Sequence, residues 1–178
     1  VLIDMYVKCG VMDAAENVFD RILVRDVISW SVMITSYAEK GEHTKAFFSY
    51  AQMQDQGVSP DSMTFLGILK ACSDMGTLQI GREIHTHLWK VGFDSNNLFL
   101  LNALLDMFTK SGGMQDAVWL FHNAKLEDAI TWSVMIAGYV QNGCIEAGME
   151  LFNGMLQEGV EPDNVTFASI VQASSSLE

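Results

Sequence analysis

Gly57-Val58-Ser59-Pro60-Asp61 returns as Gly159-Val160-Glu161-Pro162-Asp163, and these two phrases contain the only prolines of the 178-residue chain. Their prolines stand 102 residues apart (162 − 60). Laying Val1–Gly76 over Ala103–Glu178 makes 27 of 76 aligned pairs identical, where composition alone gives about five. The matches include Trp30-Ser-Val-Met-Ile34 over Trp132-Ser-Val-Met-Ile136. Self-similarity at fixed spacing is the mark of stacked supersecondary units.

A shorter period lies inside the long one. Trp30, Ile34, Gly41 and Gly57 recur 35 residues later as Phe65, Leu69, Gly76 and Gly92. Trp30, Met33, Ile34 and Tyr37 follow helical spacing up to Gly41, and Ala46, Phe47, Tyr50 and Met53 follow it up to Gly57. Each unit therefore reads as a helical hairpin. Gly57 and Gly159 suit the left-handed residue that closes a helix, and the prolines after them block its continuation. Asp26, Asp61, Asp128 and Asp163 each precede a first helix, where a carboxylate caps free N–H groups. The predicted fold class is all-α, an α-solenoid of stacked helix-turn-helix hairpins, to which the family resemblance given below adds a right-handed superhelical course. Its units fall at 27–61, 62–97, 98–128 and 129–163, with partial units at 1–26 and 164–178. The expected picture is a piece of a longer array, any targeting segment lying outside it.

Composition narrows the function. With 49% hydrophobic and 18% charged residues, the chain reads as a packed protein rather than a disordered one. No apolar run approaches the roughly 18 residues of a membrane span. Cys9, Cys72 and Cys144 lack paired spacing and read as reduced packing residues. His85 and His87, two apart on a helix, point to nearly opposite sides and do not suit a shared metal. No His has Glu two residues on and both prolines are followed by Asp, so the zinc deaminase signature is absent. No catalytic residue, cofactor or metal is expected, and the chain reads as a non-enzyme. The net charge of −12 runs against nucleic-acid binding, which usually draws on a basic surplus. A scaffold resembling tetratricopeptide arrays and gripping a basic partner is the rival reading.

The motifs resemble those of pentatricopeptide repeat proteins, in the plant variant where P, L and S motifs alternate. The S phrase is Leu2-Ile-Asp-Met-Tyr6 with Lys8-Cys-Gly10, repeated in Asn102-Ala-Leu-Leu-Asp-Met-Phe108 with Lys110-Ser-Gly112. The P phrase is the Trp-Ser-Val-Met-Ile helix closing on Pro-Asp, and the L phrase is Leu69-Lys-Ala-Cys-Ser73 with Gly81-Arg-Glu-Ile-His85. The order is S, P, L, S, P, L over the whole chain.

This resemblance implies single-stranded RNA as partner, one base per repeat, with no membrane and no DNA expected. Residues at the family's reading positions, the fifth and last of a P or S motif, are Ser31 with Asp61, Asn102 with Asp128, and Ser133 with Asp163. The residues implied to sandwich bases are Ile28, Met63, Phe99, Ile130 and Val165. A carboxylate only accepts hydrogen bonds, so Asp suits guanine and uracil, whose ring N–H faces out. A short Ser leaves room for a purine and Asn reaches a pyrimidine, giving 5′-G-N-U-G-3′ for residues 27–163. The N lies opposite Leu66, which has no hydrogen-bonding group. Asp26 and Ala168 each lack the other half of their pair. Lys8, Lys40 and Lys110 are candidates to meet phosphates, whereas Trp30, Trp132 and the eleven methionines read as packing. The family further implies a mitochondrial or chloroplast location, a role in C-to-U RNA editing, and accessory proteins bound through L motifs.

Overall fold

The computed structural model describes residues 2–92, 97–124 and 128–175. Among these the chain forms eleven α-helices and no strand, as the all-α expectation requires. It divides into two compact units, Val1–Met75 and Gly76–Glu178. Residues 93–96, where the 62–97 unit was expected to end, lie outside the described residues, as do 125–127 and 176–178.

The first unit holds α1 (Leu2–Lys8), α2 (Met12–Asp20), α3 (Val27–Glu39), α4 (His43–Asp55) and α5 (Ser62–Met75). α3 starts where Asp26 accepts a hydrogen bond from the Ser29 N–H, which satisfies one orphan donor of the first turn. It buries Trp30, Met33, Ile34 and Tyr37, the positions the periodicity singles out. α4 stops by a Schellman closure: the Gly57 N–H bonds Gln54 O at 2.9 Å and the Val58 N–H bonds Met53 O at 3.0 Å. Gly57 has φ of +70°, which only glycine adopts readily. Gly159 repeats the closure with φ of +73°, its N–H on Leu156 O and that of Val160 on Met155 O. The Gly-Val of the repeated phrase thus has a backbone cause.

α3 packs on α4 and α5. Phe19 of α2 meets Trp30 edge to face at 4.8 Å, and the Arg25 guanidinium covers Phe19 at 4.5 Å. A polar network that the sequence did not announce joins α2, α3 and α4. Tyr37 Oη and Lys45 Nζ both donate to Glu16 Oε1, at 3.0 and 2.8 Å. The Lys45 contact holds the Glu16 carboxyl below its usual range, and burial with the Glu16 contact pushes the Tyr37 phenol up. The corresponding residues 102 later are Val118, Tyr139 and Ala147, so the two copies do not share this network.

The close approach of α3 to α5 depends on Gly67. A Cβ there would lie 3.0 Å from Thr35 Cα and 3.2 Å from Thr35 N, backbone atoms that cannot swing away. Helix propensity favours Ala over Gly by about 1 kcal/mol, but overpacking costs about 1–3 kcal/mol. Gly67→Ala is therefore expected to lower the urea midpoint; a raised midpoint would show that α3 and α5 can part freely.

The second unit holds α6 (Leu78–Lys90), α7 (Leu98–Lys110), α8 (Met114–Asn123), α9 (Ala129–Gln141), α10 (Ile145–Gln157) and α11 (Asn164–Ser175). α9 packs on α7, α10 and α11. Phe121 meets Trp132 edge to face at 5.2 Å, the same pairing one long period later. Arg82 of α6 reaches Asp116 of α8 at 2.7 Å.

None of the three cysteines forms a disulfide. The packing role holds for Cys72, which is buried in α5, and not for Cys9 and Cys144, which are exposed beside the turn glycines Gly10 and Gly143. Six of the eleven methionines are buried, and Met5, Met63 and Met75 are exposed.

Candidate functional site

Each expected reading pair comes together at a junction between one first helix and the start of the next. In the first unit Ser31 of α3 donates to Asp61 Oδ1 at 2.8 Å across 30 residues of sequence. Asp61 stands just before α5 and accepts the Thr64 N–H at 2.8 Å, so it caps that helix as anticipated. In the second unit Ser133 donates to Asp163 Oδ1 at 2.9 Å, while Asp163 caps α11 through the Thr166 N–H at 2.8 Å. Asn102 and Asp128 converge there through Thr131, whose hydroxyl lies 2.8 Å from Asn102 Oδ1 and 2.7 Å from Asp128 Oδ1.

Burial separates the partners. Ser31 and Ser133 are 4% and 2% exposed, and each hydroxyl also lies 2.7 Å from a carbonyl one turn back, Val27 O and Ala129 O. These hydroxyls brace the carboxylates. Asn102 and the three aspartates are half-buried. Sequence reasoning missed Thr64, Thr131 and Thr166, all fully buried, although Asp-x-x-Thr stands at each of the three junctions.

The local fields keep the Asp128 and Asp163 carboxylates ionised. Burial pushes the Asp128 carboxyl up, but hydrogen bonds from Thr131 and Asn102 outweigh it and hold it below the ordinary range. For Asp163 burial is likewise outweighed, by Thr166 and Ser133. Both are acceptors only at neutral pH.

Around the first junction lies an open cavity of about 470 Å³ lined by Ile28, Ser31, Asp61 and Met63. The second-position, fifth and last residues thus share one wall. Asp4, Lys8 and Glu39 also line it, and Lys8 is paired with Asp4 at 2.9 Å. The lining is net acidic, not a basic strip. Lys110 is likewise held by Asp106 at 2.8 Å. Ile28, Met63, Phe99, Ile130 and Val165 are all exposed, Phe99 by 78%.

His85 Nε2 accepts from Trp89 Nε1 at 2.8 Å, and burial pushes its imidazole below the usual range. Among the described residues no three metal-ligating side chains gather, and no helix is long and apolar enough to cross a membrane.

The family model described as PPR repeat family matches residues 25–74 and 127–175, and that described as PPR repeat matches 1–27 and 99–127. Among curated relatives in Arabidopsis thaliana, Pentatricopeptide repeat-containing protein At4g25270, chloroplastic, is 38% identical over 172 residues, covering 96% of this chain and 32% of that protein. Pentatricopeptide repeat-containing protein At2g33680 is 37% identical over 174 residues, covering 98% of this chain and 24% of its own length. The chain thus spans about a quarter to a third of these relatives. The crystal structure of the pentatricopeptide repeat protein PPR10 from maize superposes with a TM-score of 0.77 at 21% identity, over 98% of this chain and 26% of that one. The same protein in complex with an 18-nt psaJ RNA element gives a TM-score of 0.79 at 20% identity, over 97% and 26%.

Proposed function

Because the chain belongs to the pentatricopeptide repeat family, we propose that it reads single-stranded RNA, one base per motif, as part of a longer organellar RNA-processing factor. The observation that carries this reading is the repeated junction: a half-buried carboxylate fixed beside a small or amide side chain, with an exposed apolar residue at the second position of each motif. It supplies an acceptor for a base edge and a platform for a base face. The PPR10 complex with RNA lends support from a relative of the same fold.

In the proposed motif boundaries, 27–61 and 129–163 are P motifs, 62–97 is L and 98–128 is S, flanked by the partial S motif 1–26 and partial L motif 164–178. Asp61 and Asp163 accept the ring N–H of guanine, with Ser31 and Ser133 acting by small size and by bracing. Asp128 accepts the ring N–H of uracil, and Asn102 supplies amide hydrogens to a uracil carbonyl. The target is 5′-G-N-U-G-3′. The chain supplies address, and the chemistry of the whole protein, C-to-U editing in this proposal, resides elsewhere. Relatives named chloroplastic or mitochondrial support an organellar site of action, and accessory proteins engaging the L motifs complete the proposal.

The rival, a scaffold for a basic partner, is favoured by one observation: the acidic lining of the cavity at Asp4, Glu39 and Asp61. Binding of oligonucleotides to the full-length protein separates the two. On the RNA reading, replacing either guanine or the uracil of 5′-G-N-U-G-3′ weakens binding by about 1–3 kcal/mol per base, while a change at N does little. Equal affinity for all the oligonucleotides, with tight binding of a lysine-rich peptide, would hand the chain to the rival.

A further inference from the structure

Four junctions in the chain close on Asp, and each has a hydroxyl residue three places later: Ser29 after Asp26, Thr64 after Asp61, Thr131 after Asp128, Thr166 after Asp163. The fifth closes on Asn97, and the matching residue is Leu100. Capping does not need the hydroxyl, since Asn97 caps α7 through the Leu100 N–H alone at 3.2 Å. At the aspartates the same residue binds twice. Thr64 sends both its N–H and its hydroxyl to Asp61 Oδ1, each at 2.8 Å. Thr166 does so to Asp163 Oδ1 at 2.8 and 2.9 Å, and Thr131 to Asp128 Oδ1 at 2.8 and 2.7 Å.

The same hydroxyls also touch the other member of each pair. Thr64 Oγ1 lies 2.8 Å from Ser31 Oγ, Thr166 Oγ1 lies 2.6 Å from Ser133 Oγ, and Thr131 Oγ1 lies 2.8 Å from Asn102 Oδ1. A hydroxyl buried without a partner is unfavourable, so these side chains are committed to the junction. Donors from two directions converge on one carboxylate oxygen. The carboxyl plane is held by these bonds, and Oδ2 takes none of them. At Asn102 the side chain lies against the Thr131 hydroxyl and donates to Asp128, so it is held beside the carboxylate.

We infer that Thr64, Thr131 and Thr166 are specificity-determining positioning residues, which pin Oδ1 of the reading carboxylate so that Oδ2 meets the base edge. They touch no base themselves. The inference rests on the RNA reading proposed above, and its force comes from the contrast with Asn97 and Leu100, where an amide cap stands without a hydroxyl.

The test replaces Thr64 and Thr166, singly, by Val in the full-length protein, keeping volume and removing the hydroxyl. The ratio of affinities for RNA carrying guanine or adenine at the matching base is expected to fall about tenfold, the worth of a hydrogen bond to a charged group. Thr64→Ser restores the hydroxyl and the ratio, and Thr131→Val lowers the uracil-to-cytosine ratio independently. Melting curves establish that each variant is folded, and Thr→Ala takes the place of a Val variant that is not. A folded variant without the hydroxyl that keeps the parent ratio overturns the inference and leaves the RNA reading standing. A parent protein with no base preference removes both.

Discussion

Exchanging Asp61 and Asp163 for Asn together is expected to turn preference at the two matched bases from guanine to adenine. The geometry explains the direction. Oδ1 of Asp61 receives the Thr64 N–H and hydroxyl, positions that accept only an oxygen. After Asp61→Asn the amide carbonyl must occupy that place, and the NH2 group takes the place of Oδ2, the atom proposed to meet the base. An acceptor becomes a donor, and a donor meets the bare ring nitrogen of adenine. Each site carries about 1–3 kcal/mol of discrimination, so the pair shifts relative affinity on the order of a hundredfold or more. Stability hardly changes, because Asn caps a helix about as well as Asp and Asn97 does so in this molecule. Competition between RNAs carrying guanine or adenine reads the result directly. Retained guanine preference in the folded double variant would reduce both aspartates to caps.

Trp30→Ala is expected to give the largest loss of stability. Trp30 is fully buried, set edge-on against Phe19 at 4.8 Å and lying 5.4 Å from the Arg25 guanidinium. Truncating a buried aromatic side chain to Ala removes about 3–5 kcal/mol, set against a typical domain stability of about 5–15 kcal/mol. In stacked repeats each hairpin leans on its neighbours, so the damage spreads beyond α3. Trp132→Ala repeats the experiment against Phe121. Urea unfolding followed by circular dichroism should show an early transition in either variant. An unchanged midpoint would contradict the packing role given to both tryptophans.

Helix positions were legible because apolar spacing and glycine punctuation act locally, within one turn of backbone. Gly57 and Asp61 announce an end and a start whatever lies around them. The meeting of Ser31 with Asp61 was also legible, but only through family resemblance, since nothing local links residues 30 apart. Burial of the serine hydroxyls was not legible. It arises from the seating of α5 on α3 and of α11 on α9, and Ser suits exposed and buried helix positions alike. The Thr64 contacts escaped notice because Asp-x-x-Thr reads first as ordinary capping, and only the hydroxyl geometry separates the two roles. Glu16, Tyr37 and Lys45 come from three different helices, so no spacing connects them. Cys9 and Cys144 show the opposite failure: Cys is usually buried, yet a turn beside glycine offers no interior to enter.

On the proposed RNA reading, the Ser31, Asp61 and Thr64 contacts couple what the protein recognises to how its hairpins adhere. Each letter of the proposed address would also be a clasp between neighbouring hairpins. Rewriting a letter therefore loosens or remakes a clasp, so drift in target preference along an evolving array is bounded by what its joints tolerate. Exchanges that preserve the inward bonds, such as Asp for Asn, are open roads, and those that empty the joint are closed ones.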